Sequence, residues 1–239
     1  MSALSSALRL FLLLPLAGLV GCSDGGARPS AADASAPLVC LVHPTTPPCC
    51  WTNAAGRCEG TDVAFARRIA ARLSRPLAVE AVAFEEILPR LKAGTADFGI
   101  ATITITEARR RDVDFSAPYA TGGNCFLYRA DGPRPRMSRI ASFRVGAEPG
   151  TTGDLYLCRH GADPVRFARA TDAVAALRRG DVDAIFFDAV PLRSWAAQSG
   201  GRLVASPLET REGYGVAVAK GRPDVLAAAN AVIAEGEAK

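Results

Sequence analysis

The chain has 239 residues, of which 49% are hydrophobic and 22% are charged, and its formal net charge is +4. This composition excludes an intrinsically disordered chain and a multi-span membrane protein, and the length is sufficient for one large or two modest domains. The small basic excess excludes a nucleic-acid-binding surface, and a total of two histidines excludes a His-rich metal centre.

The N-terminal residues have the pattern of an export signal. Arg9 precedes an apolar run over residues 10–20, which is too short to cross a bilayer and is typical of a signal-peptide core. The run ends in the sequence LVGC over residues 19–22, which resembles the bacterial lipobox, in which the cysteine is lipidated and becomes the mature N-terminus. The alternative is an ordinary signal peptide with an incidental cysteine.

The lipobox resemblance implies a signal peptide over residues 1–21 and lipidation of Cys22. Residues 22–37 are small, polar or helix-breaking, so we expect a flexible tether there. The protein is then periplasmic and attached to a membrane by its lipid alone. Ser23 in place of an aspartate favours the outer membrane, if the organism has one.

Six cysteines follow Cys22, and in an oxidising compartment they favour disulfides. A bond from Cys58 to Cys49 or Cys50 closes a short loop and is our first expectation. The alternative is a metal site built from those three cysteines and His43. Because that spacing matches no standard zinc pattern, we expect neither a metal nor a cofactor.

Strand-like and helix-like segments alternate from residue 38 onward. The patterns predict strands at residues 38–42, 77–82, 98–105, 144–147, 164–167, 183–187 and 214–219. They predict helices at residues 62–75, 84–93, 154–158, 172–179, 190–198 and 223–234, with Thr171 as an N-cap. This order of βα units predicts an α/β protein whose sheets are largely parallel and flanked by helices.

A repeated phrase, L-x-x-G-x-x-D, occurs at residues 91–97 and 177–183. Each copy predicts a helix ended by a left-handed glycine, a tight turn and a buried strand. Two copies in comparable contexts predict two lobes of similar build. Since ligands of open α/β sheets bind outside the carboxyl ends of the strands, we expect Thr102 and Asp188 at facing edges of one cleft.

The predicted edge of the first lobe carries hydroxyls and a guanidinium. Thr102 and Thr104 alternate at the end of the strand, and Arg109 follows, with a planar fork of donors that matches a carboxylate. The alternative is that Arg109 belongs to a solvated basic run with its two neighbours.

The predicted edge of the second lobe carries donors and a carboxylate. Thr151 and Thr152 lie in a loop before a helix, where backbone N–H groups can bind an anion, or where a threonine can simply cap the helix. Asp188 follows an apolar strand, and a ligand ammonium would compensate its charge; capping of the next helix is the alternative. The two edges together suit a zwitterion such as a free amino acid.

Several phrases in chain order resemble the bacterial family 3 extracellular solute-binding proteins. They are G-T-D-V at residues 60–63, T-I-T-E-A-R at 104–109, V-D-F-S-x-P-Y at 113–119, G-T-T at 150–152 and Y-G-V-A-V at 214–218. The resemblance implies a two-lobed, type II periplasmic-binding-protein-like fold, in which each lobe is a mixed sheet flanked by helices and the cleft lies between the lobes. It implies lobe 1 at residues 38–126, lobe 2 at 127–213, and a return to lobe 1 at 214–239 with a shortened C-terminal end. We place the two crossings near residues 126–129 and 212–216.

The resemblance also implies roles for the cleft residues. Arg109 falls on the position that clamps the ligand carboxylate, and Asp188 on the position that contacts the ammonium. An aromatic pair usual in the family is replaced by Thr46 and Cys49, so Trp51 is the candidate substitute. The expected ligand-binding set is Arg109, Asp188, Thr104, Thr102, Thr151, Thr152 and Trp51.

The implied function is that of a monomeric receptor that binds an amino acid or similar zwitterion and feeds an inner-membrane ABC permease. Such a receptor is not an enzyme. One alternative is a periplasmic enzyme on the same scaffold, similar to cyclohexadienyl dehydratase, with Glu148 or Asp154 as the proton donor. The other is a sensor or scaffold protein with a Cys-rich metal or partner site.

Overall fold

The structure, a computed structural model, describes residues 36–237. The predicted signal peptide, Cys22 and nearly all of the tether lie outside these residues. The strands are β1 Leu38–Val42, β2 Thr45–Thr46, β3 Cys50–Thr52, β4 Cys58–Glu59, β5 Leu77–Ala81, β6 Phe98–Gly99, β7 Asp114–Phe115, β8 Ala120–Gly122, β9 Asn124–Arg129, β10 Val145–Ala147, β11 Val165–Arg166, β12 Ala184–Asp188, β13 Leu203–Ala205, β14 Glu212–Tyr214 and β15 Ala217–Val218.

Helices follow or precede most of these strands. They are α1 Thr61–Arg72, α2 Phe84–Lys92, α3 Glu107–Arg110, α4 Thr152–Arg159, α5 Ala170–Arg179, α6 Ala189–Gln198 and α7 Pro223–Glu237, with a 3-10 helix at Met137–Ser142. Within residues 36–237, no helix combines the length and the apolar composition needed to cross a bilayer.

The first five-stranded sheet has the order β5-β1-β6-β15-β7. Strand β1 runs parallel to β5 and β6, whereas β15 runs antiparallel to β6 and β7. Helices α1 and α7 cover one face, and α2 covers the other. Because both faces are covered, β1 is apolar and buried at every position.

The second five-stranded sheet has the order β11-β10-β12-β9-β13. Strand β10 runs parallel to β11 and β12, and β9 runs antiparallel to β12 and β13. Helices α5 and α6 pack on one face and α4 on the other. Both sheets are therefore mixed and enclosed by helices, as the resemblance implies. They are not largely parallel, as the order of βα units predicted, because two of the four pairings in each sheet are antiparallel.

The repeated phrase has the same structural role in both sheets. Gly94 and Gly180 have φ angles of 69° and 85°, the left-handed conformation predicted for a helix end. The strands that follow, β6 and β12, are the central strands of their sheets. The two lobes thus share one arrangement at their centres.

A two-stranded sheet of β8 and β14 joins the lobes. The predicted second crossing coincides with β14, but the first does not lie at residues 126–129. Those residues belong to β9 and pair on both sides inside the second sheet, because a strand that is buried at five of its six positions is a core strand. The first crossing is β8.

Two other local predictions are wrong. The strand predicted at residues 98–105 ends at Gly99, because Thr102 adopts a left-handed φ of 47° that turns the chain out of the sheet. Thr171 is not an N-cap, since α5 begins at Ala170 after Arg169 and the Thr171 hydroxyl is buried without a hydrogen-bond partner.

A three-stranded sheet of β2, β3 and β4 was not predicted. Its strands have two or three residues each, too few to show alternation. The sheet is fixed to the start of α1 at Gly60, whose φ is 127° and where an added Cβ would lie 2.1 Å from the Cys49 carbonyl oxygen. Only glycine permits this close approach.

Candidate functional site

A cavity lies between the lobes, below the β8–β14 connection. Side chains nearly fill it, because the centre of a water-sized sphere has only about 10 Å³ in which to move. Residues of both lobes line it: His43, Thr46, Phe84, Ala101, Thr102, Thr104, Asn124, Thr151, Thr152, Phe187 and Asp188. Five of the seven residues predicted to bind ligand are among them, namely Thr102, Thr104, Thr151, Thr152 and Asp188.

Asp188 ends β12 and is held by hydroxyls of the opposite side. Thr102 Oγ1 donates to Asp188 Oδ2 at 3.0 Å, and the Tyr214 hydroxyl donates to Oδ1 at 2.8 Å. Desolvation in the cleft raises the pKa of Asp188 to about 7, although both hydroxyls favour the charged form; the charge of Glu212 raises it further. The predicted meeting of Thr102 and Asp188 is therefore present in the structure.

Glu212 is a second carboxylate at the cleft, and no motif in the sequence distinguishes it. It lies in β14, and its carboxylate accepts hydrogen bonds from both lobes. Oε2 accepts from Thr104 Oγ1 at 2.5 Å and from Thr152 Oγ1 at 2.9 Å. Oε1 accepts from Asn124 Nδ2 at 2.6 Å and from Thr210 Oγ1 at 2.9 Å. Three donors from distant parts of the chain and the nearby Thr210 thus fix this side chain.

Arg109 joins the two lobes at the edge of the cavity and is not one of its lining residues. Its Nη1 donates to the Thr104 carbonyl oxygen at 2.9 Å, and its Nη2 donates to the Gly150 carbonyl oxygen at 3.1 Å. Its guanidinium carbon lies 5.5 Å from the centre of the Phe84 ring. Burial lowers the pKa of Arg109, and the charges of Glu212 and Asp188 oppose that shift. Arg109 is therefore not part of a solvated basic run.

Thr151 and Thr152 have different roles at the start of α4. Thr151 caps the helix, accepting from the Asp154 N–H at 3.1 Å and donating to the Glu148 carbonyl oxygen at 2.8 Å. Thr152 instead directs its hydroxyl to Glu212. The capping alternative thus describes Thr151, while the Thr152 hydroxyl faces the other lobe.

Two phenylalanines line the cavity, Phe84 in the first turn of α2 and Phe187 in β12. Trp51 lies in β3, where its backbone pairs with Thr45 and Glu59, and it is not among the lining residues. Helical periodicity marks Phe84 as a core residue, so the sequence offers no signal that would distinguish it as a site residue.

His43 and Glu148 form a buried contact between the lobes. His43 follows β1, Glu148 follows β10, and His43 Nε2 lies 2.6 Å from Glu148 Oε1. His43 Nδ1 lies 3.0 Å from the Val82 carbonyl oxygen, which can only accept, so Nδ1 carries a proton. Burial by itself lowers the pKa of His43, but the hydrogen bond and charge of Glu148 outweigh it and the net shift is upward.

The alternative of a metal site built from His43 and three cysteines finds no support among the described residues. In the described part of the chain, no group of three or more His, Cys, Asp and Glu side chains could hold a metal ion. His43 is engaged with Glu148 instead. The six cysteines at residues 40–158 are free thiols in this structure. Cys50 and Cys58 are hydrogen-bonded to each other, which contributes to a raised Cys50 pKa that burial dominates.

The chain is similar to known binding proteins over nearly all of the described residues. Residues 38–239 match the bacterial extracellular solute-binding proteins, family 3. The chain is 28% identical to the L-cystine-binding protein TcyJ of Escherichia coli (strain K12) over 203 residues, covering 83% of this chain and 76% of that protein.

Solved structures show the same fold. The P235GK mutant of ArgBP from T. maritima matches with a TM-score of 0.79 and 33% identity, covering 84% of this chain and 89% of the other. The ancestral amino acid-binding protein AncCDT-1, a precursor of cyclohexadienyl dehydratase, matches with a TM-score of 0.77 and 24% identity, covering 84% and 90%. The latter match concerns the fold alone. Together they confirm the predicted two-lobed, type II periplasmic-binding-protein-like fold.

Proposed function

Because the chain belongs to the bacterial extracellular solute-binding proteins of family 3, we propose that it captures a free amino acid in the cleft between its lobes. The observation that carries the proposal is the hydrogen bond between Thr102 and Asp188, which brings the two predicted edges together in one cavity. The relatives named above support the same class of ligand. The chain then acts as a receptor that passes its ligand to an ABC permease.

The charged groups of the proposed ligand replace contacts that the two lobes now make with each other. Its ammonium takes the place of the Thr102 and Tyr214 hydroxyls at Asp188. Its carboxylate faces Arg109 and the donors at the start of α4. Arg109 releases the Gly150 carbonyl to make this contact. Paired charges at both ends favour the closed arrangement, with hinge motion at the β8–β14 connection.

We place the receptor outside the cytoplasm, on a lipid attached to Cys22. The apolar run and the LVGC sequence support this, as does the extracellular character of the family. In that setting Cys50 and Cys58 lose two electrons and two protons to an oxidised dithiol carrier and form a disulfide across the β3–β4 hairpin. Mass spectrometry of the exported protein tests this pairing: a 50–58 crosslinked peptide supports it, and six free thiols contradict it.

Calorimetry of the protein beginning at Ser23, against a panel of amino acids, tests the proposed function. We expect binding by the wild type and a loss of at least about tenfold in Asp188→Asn and in Arg109→Ala, since each removes a buried charged partner. Arg111→Ala, an exposed neighbour, is the matched control and keeps the wild-type affinity. Unchanged affinity in both cleft variants contradicts the assignment.

One observation favours a second candidate, an enzyme on the same scaffold. The buried His43–Glu148 pair lies against the cavity and holds a proton that a leaving hydroxyl could accept. Asp154, the other predicted proton donor, is instead paired with Arg166 at 3.1 Å. Turnover of prephenate or arogenate that is lost in Glu148→Gln would favour the enzyme over the receptor.

A further inference from the structure

The Glu212 carboxylate occupies a cradle of the kind that a ligand carboxylate requires. Two of its four donors, the hydroxyls of Thr104 and Thr152, belong to the predicted ligand-binding set and come from opposite lobes. Glu212 itself lies one hydrogen bond behind these lining residues. The cavity therefore has a carboxylate held directly behind its wall.

The charges around the cavity do not balance for a neutral amino acid. Asp188, Glu212 and the buried Asp62 are the carboxylates, Arg109 is the guanidinium, and Glu148 is already paired with His43. A neutral zwitterion adds one positive and one negative charge, so it leaves the excess of carboxylates over cations unchanged. An excess of like charge in a poorly solvated site is costly, whereas a cationic side chain on the ligand reduces it.

We propose that Glu212 is a specificity-determining residue that makes the cleft select amino acids with a positively charged side chain. This inference rests on the proposed function and adds the class of amino acid. The four donors hold Glu212 in place, so its charge cannot move away when a neutral ligand enters. A ligand with an acidic side chain would add a further negative charge and is excluded.

Arginine and citrulline form the sharpest ligand pair, since they have nearly the same shape and differ by one charge. Calorimetry with the protein beginning at Ser23 gives the ratio of their affinities in the wild type and three variants. We expect the wild type to prefer arginine by at least about tenfold, and Glu212→Gln to lose most of that preference. Glu212→Asp keeps the charge and should keep the preference. Glu209→Gln, which removes an exposed carboxylate of the same segment, is the matched control and leaves the ratio unchanged.

The outcomes separate this inference from the proposed function. Equal binding of arginine and citrulline by the wild type overturns the inference while the receptor function stands, and this result does not depend on whether any variant folds. An unchanged ratio in a folded Glu212→Gln also overturns it. Binding of no amino acid at all by the wild type overturns the proposed function and the inference with it.

Discussion

The central strands of the two lobes share a scaffold but end differently. After β6, the left-handed Thr102 turns the chain away from the sheet into a loop of hydroxyls that leads to Arg109. Strand β12 instead runs five residues to Asp188 and passes directly into α6. One wall thus presents donors and the other a carboxylate. The repeated phrase fixes where a side chain can reach the cleft, and the residues after it decide the chemistry.

The largest expected effect is the loss of stability when the central strand of either lobe loses a buried aromatic ring. Comparing the two losses tests whether the lobes are equivalent at their centres. Phe98 in β6 and Phe186 in β12 are both fully buried. Substitution of either by Ala should lower the free energy of unfolding by about 3–5 kcal/mol, because each leaves a cavity in a packed core. Chemical denaturation of the two variants measures this. A loss below about 1 kcal/mol in one of them would show that its lobe does not rest on its central strand.

A smaller effect is expected at Asp188, where substitution should increase the stability of the ligand-free protein, in contrast to substitutions in the cores. The pKa of Asp188 is raised from 3.8 to about 7, so its ionisation disfavours the ligand-free fold. The folded state binds more protons than the unfolded state between these two values, and stability falls as the pH rises through that window. Asp188→Asn should therefore stabilise the ligand-free protein above pH 7, by about 1–3 kcal/mol, while it weakens ligand binding.

Thermal unfolding at pH 8 and at pH 3 measures this gain. It should be present at the higher pH and absent at the lower, which lies below the ordinary pKa of 3.8, so that Asp188 is protonated in both states. Asp163→Asn, which removes an exposed carboxylate, is the control and should change neither value. An Asp188→Asn variant that is less stable than the wild type at pH 8 would contradict the account.

The sequence predicted the regular parts of both lobes. Helical periodicity located α1, α2 and α5 to within a few residues, because each buries one apolar face. The short strands β2–β4 gave no such signal. The strand predicted at residues 98–105 was too long because an alternating Thr-Ile pattern does not reveal the left-handed Thr102.

The cleft was predicted in part, for a different reason. Thr102, Thr104, Thr152 and Asp188 stand at strand ends or a helix start, where chain order alone brings them to the sheet edge. Glu212 and the His43–Glu148 pair depend on contacts between distant segments, and neither has a local motif. Phe84 was hidden because its position on α2 also fits a core residue.

The smallest expected effect is a change in closure with pH that depends on the contact between His43 and Glu148. The pKa of His43 is raised when Glu148 is beside it, while Arg169 opposes the shift and the Val82 carbonyl supports it. The closed form therefore binds more protons than an open form in which His43 titrates near its ordinary value of 6.5. This contribution to closure is complete below that value and is lost as the pH rises through the raised pKa.

Small-angle X-ray scattering of the ligand-free protein measures this closure. The radius of gyration should increase between pH 6 and pH 8 in the wild type. His43→Gln removes one of the groups that titrate in this range and should make the increase smaller. A pH-dependent change of equal size in the variant would assign the effect to other groups, Asp188 first among them.

The proposed function places the ammonium of an amino acid ligand on Asp188. A thermodynamic cycle tests this contact, with calorimetry of arginine and its desamino analogue binding to the wild type and to Asp188→Asn. Loss of the ammonium should weaken binding to the wild type by at least about tenfold but have little further effect in the variant, a coupling of about 1.4 kcal/mol or more. Equal losses in both proteins, and hence no coupling, would contradict it.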